Sequence, residues 1–250
     1  MAAATKVGLI TGASRGIGRE TARRLAAAGY RVAVHCGRQE DAARAVSASL
    51  TGSGHEVFRA DLADPDAAAG LVERVAQHYG RIDLLVNNAG VFLHHDPNQV
   101  DLAAWRAAWR DTLAVNLVAA ADLAFCCLPH FPESGGKIIN VSSRGAYRGE
   151  PESPAYGASK AGMNSLTQSL AKALGGRGIM VYGVAPGWVE TDMAASHLHG
   201  PGGDAIRAQS PLHRAARPEE VANTIAFLAG EETDFLSGAI IDVNGASYFR

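Results

Sequence analysis

A tyrosine and a lysine of this chain stand at a spacing that could support proton transfer. Tyr156 and Lys160 are four residues apart, so a helix would place both side chains on one face, one turn apart. A free tyrosine, with a pKa near ~10, transfers protons poorly at neutral pH, and a neighbouring ammonium group would lower that pKa. The pair therefore suggests general acid–base chemistry, although a buried tyrosine beside an exposed lysine is the commoner meaning of this spacing alone.

A glycine-rich turn near the N-terminus could bind phosphate groups. Gly12, Gly16 and Gly18 follow an apolar run and precede a helical pattern. Gly12 would allow a sharp turn, Gly16 a close approach of the backbone to a pyrophosphate, and Gly18 close packing of helix on strand. The free N–H groups at the helix N-terminus would then face the phosphates. The placement between strand and helix distinguishes such a dinucleotide site from an ordinary tight turn.

Short apolar runs alternate with longer helical patterns along the chain. The runs predict strands at residues 7–10, 31–34, 56–59, 82–86, 137–141, 180–184 and 239–243. The helical patterns predict helices at residues 18–28, 67–79, 102–125, 155–174 and 219–228. This alternation predicts an α/β fold, a doubly wound parallel sheet with helices on both faces.

Composition limits the classes of protein that the chain can belong to. It has 250 residues, 47% apolar and 19% charged, without a dividing linker or repeat, so residues 1–250 are predicted to form a single domain. The net charge of −2 argues against nucleic acid or an anionic membrane surface as a partner. The most apolar run, residues 113–128, contains polar residues and is too short to span a bilayer comfortably.

Cysteine and histidine usage bears on compartment and metals. Cys36, Cys126 and Cys127 form neither a disulfide framework nor a thiolate zinc site. With no apolar signal stretch at the N-terminus, we expect a cytoplasmic protein. The paired histidines at 94–95 and at 197 and 199 lack accompanying ligands at familiar spacing, so no metal is expected.

Further motifs, in order and spacing, resemble those of the short-chain dehydrogenase/reductase family, whose turn has the spacing G-x-x-x-G-x-G. The matching motifs are Asp61-Leu62, Asn87-Asn88-Ala89-Gly90, Asn116, Ser143, Tyr156-x-x-x-Lys160, Pro186-Gly187 and Thr191. Ala216-Arg-Pro-Glu-Glu220 and Asp242-Val-Asn-Gly245 suggest the subgroup of 3-oxoacyl-acyl-carrier-protein reductases. The resemblance covers nearly the whole chain and implies a Rossmann-type sheet of seven parallel strands.

The resemblance implies an NADP(H)-dependent oxidoreductase that reduces a ketone or 3-oxoacyl carbonyl to an alcohol. Tyr156 would give a proton to the carbonyl oxygen, and Ser143 would hydrogen-bond the same oxygen. Lys160 would bind the nicotinamide ribose, while Asn116 would organise a water chain that resupplies the proton. The alternatives are a non-catalytic NADP(H)-sensing regulator of the same fold and an NAD-dependent sugar or alcohol dehydrogenase. Sensors tend to lack the tyrosine or lysine, so their presence favours an enzyme.

The resemblance also implies a set of cofactor-binding residues. They are Gly12, Ser14, Arg15, Gly16, Ile17, Gly18, Arg38, Asp61, Leu62, Asn87, Ala89, Gly90, Tyr156, Lys160, Pro186, Gly187, Val189 and Thr191. Asp61 would contact the adenine, Asn87 and Gly90 would lie beside the adenosine ribose, and the segment from Pro186 to Thr191 would hold the nicotinamide. For Asn87 the alternative is a structural role, in which a buried amide bonds neighbouring strands.

The end of the second predicted strand bears on the choice between NAD and NADP. An acidic residue there would bind the ribose 2′-OH of NAD and repel a 2′-phosphate, but this chain has Cys36. Arg15 and Arg38 could supply charge-assisted hydrogen bonds to the phosphate. We therefore predict that NADP(H) is preferred over NAD(H). The alternative is that both arginines are solvated surface charges.

A long irregular segment at residues 193–210, with glycines in its middle, is a candidate substrate lid, with a variable surface loop as the alternative. Candidate substrate residues in neighbouring loops are Phe92, His94, Arg144, Tyr147 and Trp188. Arg144 could attract an anionic substrate or be solvated. The expected partner is a small carbonyl or alcohol. The resemblance implies a homotetramer, with residues 102–125 and 155–174 at one interface and the C-terminal strand at another.

Overall fold

The computed structural model describes residues 5–250, and their strands form one seven-stranded parallel sheet. The strands are β1 (Val7–Ile10), β2 (Arg31–Cys36), β3 (Glu56–Arg59), β4 (Leu84–Asn87), β5 (Gly136–Val141), β6 (Ile179–Pro186) and β7 (Ile240–Val243). Their order across the sheet is β3-β2-β1-β4-β5-β6-β7, and every neighbouring pair is parallel. The order reverses between β1 and β4, which opens a crevice at their carboxyl ends. The predicted doubly wound, Rossmann-type fold is confirmed.

Helices connect the strands on both sides of the sheet. Within the described residues they are α1 (Gly16–Ala27), α2 (Glu40–Ser49), α3 (Ala67–Tyr79), α4 (Leu102–Leu113), α5 (Ala119–Cys127), α6 (Gly145–Arg148), α7 (Pro154–Leu174), α8 (Ala195–Leu198), α9 (Gly203–Ala208) and α10 (Pro218–Ala229). A π-helical turn at Ala114–Val118 joins α4 to α5. Short 3-10 turns lie at Gly175–Arg177 and Asp234–Leu236.

Each face of the sheet packs on its own apolar core, and β4 shows how. Leu84 and Val86 belong to the core on the side of α1 and α10, whereas Leu85 belongs to the core on the side of α3 and α5. Successive residues of a strand point to opposite faces, so a strand covered on both sides must be apolar at every position. Burying each such side chain contributes roughly 1.5–3 kcal/mol, which explains the unbroken apolar runs in the sequence.

The structure differs from the predicted elements at several points. Strands β2 and β6 each continue two residues farther, to Cys36 and Pro186. Helix α2 was not predicted, because only Ala43 and Val46 of its residues are buried and so short an apolar stripe gives little periodic signal. The π-helical turn interrupts the single helix predicted at 102–125. The segment 193–210 is not wholly irregular, since it contains α8 and α9.

Three observations bear on the expectations about membrane, cysteines and N-terminus. Within residues 5–250, every helix is too short or too polar to cross a bilayer. Cys36, Cys126 and Cys127 are free thiols. Residues 1–4, which begin the stretch predicted to lack a signal sequence, lie outside the described residues.

Candidate active site

The loops that follow β1, β4, β5 and β6 surround one cleft of about 730 Å³ at the carboxyl edge of the sheet. Its floor includes the glycine-rich turn, and the first turns of α7 and residues 191–197 form its walls. This volume lies in the range of small-molecule and cofactor sites. The position is also where open α/β sheets bind their ligands.

The glycine-rich turn depends on close contact between α1 and the end of β1. Gly12 and Gly16 have φ values of 63° and 55°, in the left-handed region that favours glycine. A Cβ atom at Gly18 would clash with the carbonyl oxygen of Gly12, so α1 lies directly against the turn. The first N–H groups of α1 consequently open toward the cleft, where they can bind an anion.

The loop after β4 is bonded to the same turn. Asn88 donates its side-chain amide to the carbonyl oxygens of Thr11, at 2.8 Å, and Gly12, at 3.1 Å. The Thr11 hydroxyl oxygen accepts the backbone N–H groups of Asn88 and Ala89, both at 2.9 Å. These contacts hold the ends of β1 and β4 at a fixed separation, on either side of the crevice.

A buried histidine also supports the turn. The backbone N–H of Gly12 donates to Nδ1 of His35 at 3.1 Å, and Nε2 of His35 lies 3.1 Å from the carbonyl oxygen of Ala60. The network assigns the proton to Nε2, because Nδ1 must accept. Burial lowers the pKa of His35 to about 4, with a further lowering by Arg74 and an opposing contribution from the Ala60 hydrogen bond. The imidazole is therefore neutral at pH 7.

Helix α7 places Tyr156 and Lys160 on the cleft. The Lys160 ammonium donates to the carbonyl oxygen of Val141 at 2.8 Å and lies 5.7 Å from the centre of the Tyr156 ring. Lys160 is 3% exposed, and burial lowers its pKa to about 8. The side chain remains largely protonated at neutral pH, one helical turn from the phenol.

The pKa of Tyr156 moves in the direction opposite to the predicted one. Burial raises it to about 12; the hydrogen-bonding Ser143 hydroxyl lowers it in part, and the Glu150 carboxylate raises it further. The predicted lowering by Lys160 is wrong for this structure because desolvation of the phenol outweighs the other effects. The phenol therefore carries its proton at neutral pH.

Asn116 occupies the π-helical turn between α4 and α5. Its amide nitrogen donates to the Val91 carbonyl at 3.0 Å and to the Ser159 hydroxyl at 3.2 Å, and its oxygen accepts the Val91 N–H at 2.8 Å. A Cβ atom at Gly90 would lie 3.3 Å from Oδ1 of Asn116 and 3.7 Å from Nζ of Lys160. Gly90 therefore leaves open the space between these two side chains.

Comparisons with known proteins identify the family. Residues 12–246 match the family model described as enoyl-(acyl carrier protein) reductase. The chain is 39% identical over 246 residues to the cis-4-hydroxycyclohexanecarboxylate dehydrogenase of Sinomonas cyclohexanicum, covering 97% of this chain and 96% of the relative. It is 36% identical over 247 residues to the 3-oxoacyl-[acyl-carrier-protein] reductase of Staphylococcus aureus, covering 98% of each. The chain belongs to the short-chain dehydrogenase/reductase family.

A solved structure agrees with this assignment. A short-chain dehydrogenase from Burkholderia cenocepacia, crystallised with NADP, matches this fold with a TM-score of 0.88 at 36% identity, covering 97% of each chain.

Most of the predicted site residues line the cleft of this short-chain dehydrogenase/reductase. They are Gly12, Ser14, Arg15, Gly16, Ile17, Arg38, Asp61, Leu62, Ala89, Gly90, Phe92, Ser143, Arg144, Tyr156, Lys160, Pro186, Gly187, Trp188, Val189 and Thr191. Gly18 and Asn116 lie behind this surface, the first against the turn and the second against the loop after β4. Within residues 5–250, the side chains of His, Cys, Asp and Glu form no group of three that could hold a metal ion.

Three predicted residues lie away from the cleft. Asn87 donates its amide to the Ala120 carbonyl and the Asn140 side-chain oxygen, which is the structural role named as its alternative. His94 lies 3.5 Å from the exposed carboxylate of Glu152. The ring of Tyr147 lies 4.6 Å from the Arg250 guanidinium. The structure therefore does not bring these side chains together with Tyr156.

Arg144 is buried, in contrast to the solvated role named as its alternative. It is 4% exposed, and its guanidinium donates to the Ser247 hydroxyl at 2.6 Å and the Gln209 side-chain oxygen at 2.8 Å. The guanidinium, at the border of the cleft, is therefore not solvated, and its hydrogen-bond partners are neutral side chains. It instead ties the loop containing Ser143 to the end of the segment 193–210 and to the C-terminal residues.

Three residues have roles in the site that the sequence did not predict, namely His35, Asn88 and Glu150. His35 directly follows the apolar run that predicts a strand at 31–34. A polar residue at the end of that run was the available signal. Asn88 was included in a motif without a role. Glu150 follows a short helix that was not predicted, and only the fold places its carboxylate beside the cleft.

The neutral state of His35 predicts loss of stability in acid. Below pH ~6.5 the unfolded chain binds a proton at this residue, but the folded chain does so only near pH 4, so stability falls as pH decreases across this interval, by about 3 kcal/mol. Denaturant unfolding at pH 7 and pH 4.5 should show a clearly smaller loss for His35→Gln. The exposed-residue control His199→Gln should retain the wild-type loss. Parallel losses in all three proteins would contradict the burial of a neutral His35.

Proposed function

We propose that this protein is an NADP(H)-dependent reductase that converts a ketone-type carbonyl to an alcohol, with Tyr156 as the acid. The proposal is supported chiefly by the placement of Tyr156 in one cleft with Ser143, Lys160 and the glycine-rich turn. The relatives named above include a dehydrogenase of a cyclic alcohol and a reductase of 3-oxoacyl groups. Both names describe interconversion of a carbonyl and an alcohol.

The described residues fit a dinucleotide cofactor. The N-terminus of α1 and the turn at Gly12–Gly16 would bind the pyrophosphate, while Asp61 and Leu62 line the part of the cleft next to β3. Pro186, Gly187 and Thr191 line the same cleft, where they would hold the nicotinamide. When bound, NADPH supplies the hydride, and the protein's contribution is orientation and electrostatic stabilisation.

Tyr156 and Ser143 would act on the substrate oxygen. As negative charge develops on that oxygen, the phenol gives it a proton and the Ser143 hydroxyl donates a hydrogen bond. The Lys160 ammonium, which donates to the Val141 carbonyl, would bind the nicotinamide ribose. The space beside Gly90, between Asn116 and Lys160, provides room for water through which the proton is replaced.

Removal of the Tyr156 hydroxyl tests the proposal. Tyr156→Phe keeps the ring, so NADPH binding should remain within about threefold while turnover falls at least a hundredfold, roughly the contribution of a general acid. Tyr79→Phe removes a hydroxyl that bonds to Val32 and Gly54, far from the cleft, and serves as the control. NADPH binding and NADPH consumption are measured for a panel of acyl thioesters, ketoses, quinones and steroids. Binding without turnover of any carbonyl by the wild type would favour the sensor instead.

NADP(H) is the proposed cofactor rather than NAD(H). Strand β2 ends at Cys36, so it carries no acidic side chain at that position. Arg15 and Arg38 line the adjoining part of the cleft. Arg15 pairs at 3.3 Å with Asp192, but both side chains are exposed and such a pair is weak. A 2′-phosphate could therefore recruit both guanidinium groups. The NADP complex of the relative is consistent with this preference.

A charge reversal at Arg38 tests the cofactor preference. Arg38→Glu replaces a donor to the 2′-phosphate with a repelling carboxylate, so the affinity for NADPH should fall at least about tenfold more than that for NADH. Arg24→Glu makes the same change of charge on an exposed residue near the end of α1 and should leave the ratio of affinities unaltered. Fluorescence titration with both nucleotides measures the ratio. Equal weakening of NADPH and NADH by Arg38→Glu would contradict the assignment.

We also infer one domain, a lid at residues 193–210, and a homotetramer. Val118, on the π-helical turn, and Phe125, on α5, are exposed apolar side chains near the interface that the resemblance implies. Phe249, near the C-terminus, is also exposed. Light scattering should give a mass four times that of the chain, and Phe125→Asp should lower it. A monomeric wild type would exclude the tetramer. The cytoplasmic location stays a prediction.

A further inference from the structure

A continuous row of aromatic rings lines the cleft, beginning at Tyr156. The ring of Phe92 meets that of Tyr156 edge to face, with centres 4.8 Å apart. His197 meets Phe92 edge to face at 5.7 Å, and Trp188 lies 5.3 Å from His197 at a tilt of 35°. Such contacts restrain each ring against its neighbour. Together Phe92, His197 and Trp188 form what we call the ring wall, which extends from the phenol toward the lid.

The ring wall is fixed by the lid's own packing. His197 belongs to α8, and Ala194 and Leu198 on either side of it are buried with Ala215 in a small apolar cluster. Trp188 packs against the same cluster. The backbone of α8 is therefore anchored near His197, whose imidazole is half-buried. A rigid surface of this kind binds a flat, rigid ligand best, because little conformational freedom is lost on binding.

The same cleft also contains a carboxylate. Glu150 lines the cleft, and its side chain is 15% exposed, with the nearest cation, Arg148, at 3.6 Å. A Cβ atom at position 145 would lie 2.5 Å from its Oε1, so glycine at that position allows the carboxylate its place. A partly buried carboxylate accepts hydrogen bonds from hydroxyl groups and repels other anions.

We propose that the ring wall binds the ring of a cyclic ketone, alicyclic or aromatic, and that Glu150 accepts a hydrogen bond from a hydroxyl group on that ring. The wall begins at the reacting phenol, so the carbonyl belongs to the ring or is attached directly to it. A flexible linear acyl chain does not need a flat surface at this position. A ring that bears a carboxylate is repelled by the negative charge of Glu150. This inference depends on the proposed carbonyl reduction.

A comparison of ring and linear ketones tests the ring wall. For the wild type, kcat/KM with NADPH should be higher for 3- and 4-hydroxycyclohexanone and hydroxylated 1-tetralones than for 2-octanone and the N-acetylcysteamine thioester of a linear 3-oxoacid. Phe92→Leu and His197→Leu, which keep apolar bulk but remove a ring, should lower the ratio of ring to linear kcat/KM about tenfold. His197→Phe, which restores a ring, should keep the ratio within about threefold of the wild type.

The outcomes separate the two proposals. Turnover of the linear ketones in preference to the ring ketones, or an equal loss on both classes in the leucine variants, overturns the ring wall and leaves carbonyl reduction standing. An absence of NADPH consumption with every carbonyl overturns the proposed function itself. The ring wall is supported if the ratio of ring to linear kcat/KM falls in Phe92→Leu and His197→Leu but is kept in His197→Phe.

A change of charge at Glu150 tests the second half of the proposal. Glu150→Gln keeps the size of the side chain and an acceptor oxygen but removes the negative charge. The ratio of kcat/KM for 4-oxocyclohexanecarboxylate to that for 4-hydroxycyclohexanone should rise about tenfold, mainly through a lower KM for the acid. Glu152→Gln, at the neighbouring exposed carboxylate, should not raise it. An unchanged or lower ratio in Glu150→Gln would show that Glu150 does not contact the substrate.

Discussion

Direct contact between Gly18 and the carbonyl of Gly12 sets the geometry on which the cleft depends. It brings the start of α1 against the end of β1, and the polar atoms of Gly12 are then used on the side away from the ligand. His35 accepts its N–H, and Asn88 donates to its carbonyl oxygen. Neutral side chains thus provide the hydrogen bonds of the Gly12 N–H and carbonyl oxygen. The positive end of α1 therefore remains available to an anion.

Burial shifts the pKa values of the Tyr–Lys pair in opposite directions. It disfavours the charged form of each group, lowering the pKa of Lys160 to about 8 and raising that of Tyr156 to about 12. The phenol therefore keeps its proton until an oxygen with developing negative charge accepts it. Charge is created at the moment of reaction in a site whose donors are already fixed, which is the condition under which electrostatic stabilisation is most effective.

The sheet was predictable because β strands covered on both faces leave unbroken apolar runs, as at residues 84–86. The Tyr156–Lys160 pair was predictable from helical spacing. Other features depend on contacts distant in sequence. The sign of the Tyr156 pKa shift follows from desolvation, which spacing does not encode. His35 and Glu150 gained their roles only when loops from several strands met, and helices as short as α8 carry too little periodicity to be recognised.

The π-helical turn at Ala114–Val118 has a consequence for the helix that contains it. One extra residue in a turn rotates everything beyond it by about 100° relative to a regular α-helix. Helix α4 can thus lie along α7, while α5, out of phase with it, faces α3 and buries Leu123 and Cys127 in the core. A single-residue deletion there would restore a regular helix. That helix could not place α4 along α7, α5 against α3 and Asn116 beside Val91 at the same time.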